Sequence, residues 1–192
     1  MEQDKFNKLK REYQAANKNG IDFIISGSII WFGFAIIWYL DLQAFQKSIF
    51  SFIWGAALTP LAFGISKLLK TNWKVKENPL QPLGSWLHFA QMIYFPILLF
   101  LLLRSPQYFI VAYAVMIAAN LFPYAWFYDE IAYCVCSILI SVGAVTIALI
   151  VHSDKFYYIP LYTFLVFIIF AIRVYRNNNK VSLENIDIRY IE

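Results

Sequence analysis

The run IAYCVCSILISVGAVTIALIV, Ile131–Val151, holds twenty-one consecutive residues without a charged side chain. At 1.5 Å of rise per residue, a helix of this length covers about 30 Å, the thickness of a bilayer's hydrocarbon core. Five further apolar runs have matching length: Ile21–Leu40, Ile49–Leu69, Gly84–Leu103, Tyr108–Phe127 and Tyr157–Tyr175. In lipid, every backbone polar group must find its partner within the segment, so each run reads as a helix. The fold class is therefore all-α, an integral membrane bundle of six transmembrane helices.

Composition agrees. Hydrophobic residues make up 60% of the 192-residue chain, charged residues only 15%, and the mean hydropathy is +0.57. A soluble domain carries about 25% charged residues to wet its surface. The first apolar run is too long for a signal h-region and is expected to remain as the first span.

The basic residues set the expected orientation. Thirteen of the sixteen fall on the N-terminal segment (Lys5, Lys8, Lys10, Arg11, Lys18), around the second-to-third connection (Lys67, Lys70, Lys74, Lys76), or after the last span (Arg173, Arg176, Lys180, Arg189). The alternate connections hold only Lys47, Arg104 and Lys155. The positive-inside rule then places both termini in the cytoplasm. The net charge of +4 points to anionic lipids at the cytoplasmic face rather than to nucleic acid.

Residues 1–20 read as a cytoplasmic amphipathic helix lying at the interface. Phe6, Leu9, Tyr13 and Ala16 recur at helical spacing, with Lys5, Lys8, Arg11 and Glu12 between them. A solvated basic tail is the competing reading. Gly20 is expected to end the helix. The transmembrane domain spans 21–175, and 176–192 forms a cytoplasmic tail in which Asn177–Asn179 is expected to break the helix. Beyond it, the alternation Ile186-Asp187-Ile188-Arg189-Tyr190 fits a short strand or a disordered segment.

Polar residues at membrane depth are few. Gln91 stands seven residues from Gly84, and Asn120 seven from Phe127. Spans three and four are antiparallel neighbours, so the two amides share one depth. Ser26, Ser28 and Ser137 fall in the same layer, with His88 and Tyr124 nearby. Such groups must face the bundle interior. Two readings follow: a small polar cavity, with Gln91, Asn120, His88 and Tyr124 as ligand-binding candidates, or hydrogen bonds that merely hold helices together. Pro60, Pro96 and Pro123 each remove a helical hydrogen bond and favour kinks in spans two, three and four.

No Asp, Glu, Lys or Arg sits at the centre of a span, which argues against a proton relay or charged-ring filter. His88 and His152 lie at opposite ends of their spans and cannot share a metal or haem. Cys134 and Cys136 point about 200° apart on a helix and read as packing residues. No cofactor or metal is therefore expected. Asp129-Glu130, between spans four and five, reads as a pair of solvated caps. Ser137-x3-Ser141 and Ala144-x3-Ala148 permit close helix approach on span five, within this chain or in a homo-oligomer.

The stretches LLKTNWKVKENPLQPLG (Leu68–Gly84), FAQMIYFP (Phe89–Pro96) and FPYAWFYDE (Phe122–Glu130) resemble those of an uncharacterised family of small bacterial polytopic membrane proteins. The resemblance implies a bacterial plasma membrane and carries no assigned chemistry. No catalytic motif is present, so a non-enzyme is favoured. The expected function is transport or binding of a neutral or amphiphilic ligand through a cytoplasmic-side cavity. The alternatives are a non-catalytic membrane partner of immunity type, and a lipid-modifying enzyme using His88 beside Asp129 or Glu130.

Overall fold

The computed structural model describes residues 2–75 and 78–189, so Lys76 and Tyr190 lie outside the described residues. Nine α-helices are described, with no strand among them: α1 (Glu2–Asn17), α2 (Ile21–Tyr39), α3 (Ala44–Gly55), α4 (Leu58–Leu69), α5 (Gln81–Ala90), α6 (Phe95–Arg104), α7 (Phe109–Phe127), α8 (Ala132–Ile150) and α9 (Tyr158–Arg189). Six segments among them are long and apolar enough to cross a membrane. The all-helical, membrane-type architecture read from hydropathy is thus the observed one.

Two spans are not single rods. The second divides at Gly55–Ala57, where the Ala56 and Ala57 amides bond three residues back to Ile53 and Trp54. Pro60 follows in the first turn of α4 and has no N–H to continue the ladder. The third span tightens into a 3-10 turn over Gln91–Tyr94, and Pro96 opens α6. Pro123, by contrast, sits inside the continuous α7 close to its end.

The spans form a closed circuit. α2 packs on α9, α9 on α8 and α8 on α7; α7 meets α5 and α6; α3 contacts α6 and α2, and α4 returns to α2. Close approach of α2 and α9 depends on Gly27, where an added Cβ would lie 2.7 Å from the Phe167 ring. Gly27→Ala is expected to lower thermal stability in detergent by about 1–3 kcal/mol through overpacking. An unchanged melting temperature would show that this contact is looser than described.

Hydrogen bonds stitch the helices at a few points, as polar groups in lipid must. Trp38 donates to Ser51 Oγ (2.9 Å), Trp54 to the Ile30 carbonyl (3.1 Å), and Ser137 to the Ala118 carbonyl (2.6 Å). Ser137 and Ala144 are buried within this chain. Ser26 and Ser28 differ from the expected interhelical role: their hydroxyls bond back to carbonyls four residues earlier on α2.

The N-terminal helix exists, and it is docked on the bundle. Tyr13 packs edge-on against Phe127 with centroids 5.0 Å apart, and Phe6 meets Trp126 at 6.2 Å. Lys10 is buried, 2.5 Å from Asp129, with its ammonium 4.5 Å from the Trp126 ring centroid. Gln14 adds bonds to Asp129 and to the Phe127 carbonyl. The chain then reverses through Lys18, Asn19 and Gly20, all with positive φ. Gly20 is required by its conformation and by space, since a Cβ there would lie 3.0 Å from the Tyr133 hydroxyl. That hydroxyl donates to the Asn19 carbonyl (2.6 Å), and Asn178 donates to the Lys18 carbonyl (2.7 Å).

Two sequence expectations are corrected here. Asn177–Asn179 does not interrupt the last helix; α9 runs on to Arg189. Asn carries only a modest helix penalty, and here Asn177 and Asn178 hold partners on other elements. Glu130 is not a solvated cap: it is 2% exposed, accepting from Asn177 Nδ2 (2.6 Å) and the Ala132 amide (3.3 Å) beside Arg173 (3.6 Å).

Candidate functional site

A cavity of about 460 Å³ opens inside the circuit, between α2, α4, α5 and α7. Its size falls within the range of small-molecule sites. Both broken spans border it: Leu58 and Thr59 at the start of α4, Gln91 and Met92 in the 3-10 turn. A mid-span 3-10 turn frees local backbone and re-aims side chains. Tyr13 and Asn17 of α1 and Trp73 of the following loop cover the end nearest the N-terminal helix. Trp31, Ile30, Tyr113 and Ile117 line its walls. Thr59, Ser85, Phe89 and Met92 are lining residues that are also exposed, which marks the mouth between α4 and the α5 side.

All four residues singled out from the sequence line this cavity: Gln91, Asn120, His88 and Tyr124. Gln91 is buried to nine-tenths. Among the described residues neither Gln91 nor Asn120 donates or accepts a side-chain hydrogen bond, to the other or to any third group. His88 has its ring 5.2 Å from Phe23 and 6.0 Å from Phe89. Tyr124 stacks on Tyr128 at 5.6 Å, beside Tyr133 at 5.9 Å. Burial, reinforced by Tyr13, Tyr124 and Asp22 nearby, pushes the Tyr128 phenol well above its ordinary pKa. It presents a neutral hydroxyl at any physiological pH.

Asp22 joins the site without having been marked out by its sequence context. It sits in the first turn of α2, is 1% exposed, and lines the same cavity. Its Oδ2 accepts from Thr71 Oγ1 and Trp73 Nε1, both at 2.6 Å, and its Oδ1 from the Phe23 amide at 2.9 Å. Trp73 in turn stacks on Phe23 with centroids 4.9 Å apart. The carboxylate thus pins the loop after α4 over the cavity. The signal for it was an acid just after Gly20, at the helix end where the macrodipole favours negative charge.

A family model described as "Family of unknown function (DUF7010)" matches residues 6–177. The chain belongs to this family. No curated protein and no solved structure matches it. The match takes in most of α1, the six apolar runs and the cavity-lining residues named above, so the site belongs to the part of the chain shared with the DUF7010 family. The enzyme alternative would bring His88 to Asp129 or Glu130. Among the described residues those carboxylates are instead bound to Lys10 and Gln14, and to Asn177 and Arg173. Nor does any described group of three or more His, Cys, Asp or Glu assemble a metal site.

Proposed function

We propose that this DUF7010 member is a membrane protein that binds an amphiphilic ligand in the cavity between α2, α4, α5 and α7. The observation that carries the reading is the Gln91 side chain, without a protein partner among the described residues and lining, together with Asn120, a largely apolar, aromatic space. A site lined by apolar rings with a few convergent polar groups suits a molecule with both characters. Its mouth lies between spans, so a ligand dissolved in the bilayer enters sideways, with no need to cross water. Such binding is the step shared by a transporter and a non-transporting receptor.

The test uses the purified full chain in a non-ionic detergent, titrated with a monoacylglycerol. Saturable thermal stabilisation supports the reading; a melting temperature indifferent to monoacylglycerol and to other amphiphiles of similar size overturns it.

The proposal includes a topology. Basic residues favour both termini in the cytoplasm of a bacterial plasma membrane, with α1 at the inner surface and anionic lipids around Lys5, Lys8, Arg11, Lys70 and Lys74. Lys10 is excluded from that rim because Asp129 holds it. A cytoplasm-active reporter fused after Glu192 is expected to function and a periplasm-active one to stay silent. The reverse pattern would move the cavity to the outer leaflet.

A further inference from the structure

The charge balance of the cavity narrows the ligand further. Asp22 is the single Asp, Glu, Lys or Arg among its lining residues. The donors to its carboxylate, Thr71, Trp73 and the Phe23 amide, are all neutral. No lysine or arginine among the described residues forms an ion pair with it. The α2 N-terminus offsets roughly half a charge, which leaves a net negative field in an apolar enclosure. The rings around it point the same way. Phe23, Trp73, Trp31 and Tyr128 line the cavity, and aromatic faces carry negative potential that attracts cations. An anion would meet this field unfavourably, and a neutral molecule would gain less from it than a cation.

We propose, building on the cavity reading above, that the ligand is a monovalent organic cation with apolar substituents, its charged centre seated near Asp22 and the Phe23–Trp73 pair. Gln91 and Asn120 then take polar substituents farther along the cavity. The chemistry specified is that of quaternary ammonium or phosphonium compounds and protonated lipophilic amines.

The test compares two probes of nearly equal shape and opposite charge, tetraphenylphosphonium and tetraphenylborate, on the purified full chain in non-ionic detergent, with monoacylglycerol as the neutral control. Tetraphenylphosphonium is expected to stabilise the protein saturably and to bind at least about tenfold more tightly than tetraphenylborate. Asp22→Asn, which keeps an oxygen acceptor for Thr71 and Trp73, is expected to remove that preference. The comparison on the unaltered protein stands even if Asp22→Asn folds poorly. Equal binding of the two ions, or tighter binding of the borate, overturns the cation assignment while monoacylglycerol stabilisation still upholds the cavity. Absence of stabilisation by all three probes overturns both.

Discussion

Glu130→Ala is expected to cost about 3 kcal/mol of bundle stability. The carboxylate is 2% exposed and ties the turn after α7 to the last helix through Asn177, while also receiving the Ala132 amide. Its removal leaves both donors without their acceptor. Arg173 contributes little to that figure, because its side chain is 62% exposed and the ion pair is 3.6 Å long. Glu130→Gln keeps the shape and one acceptor, so about half the loss should be recovered. Unfolding followed by circular dichroism in detergent measures both variants. A Glu130→Ala protein as stable as the parent would mean that the turn and α9 are not joined as described.

The second large effect is on ligand response rather than on folding. At a hundredfold excess over Kd a ligand stabilises its protein by about 2.7 kcal/mol. Asn120→Leu and Gln91→Leu are each expected to abolish most of that stabilisation while leaving the unliganded protein's melting temperature nearly unchanged. The reason is that neither amide has a protein partner to lose among the described residues. Were they helix-to-helix glue, the pattern would invert: a loss of about 0.6 kcal/mol in the unliganded protein and no selective effect on ligand response. Thermal shift titration of the three proteins side by side separates the outcomes.

Hydropathy made the spans legible because twenty-residue apolar runs have no other stable use of their length. Counting along antiparallel helices paired Gln91 with Asn120, and both line the cavity. Other features depended on contacts between distant segments. Asp22 stands at the edge of an apolar run, where an acid looks like a flank; its partners Thr71 and Trp73 come from a loop about fifty residues on. Lys10 looked like one of a basic set facing lipid, and only the fold brings it to Asp129, 119 positions away. The polar Asn177-Asn178 pair looked like a helix break for the same reason. Their side chains reach Glu130, Asn19 and the Lys18 carbonyl, contacts that repay the weak propensity of asparagine in a helix. Prolines located the breaks in spans two and three but left unsaid that both breaks border one cavity.

On this reading the space between α2, α4, α5 and α7 holds a ligand. An experimental structure of the full chain in lipid nanodiscs tests it most directly. Non-protein density is expected inside the cavity, reaching Gln91 and Asn120, with the mouth at Thr59 and Met92 open toward the bilayer. A closed, dry interface with the Gln91 and Asn120 amides bonded to each other would contradict it.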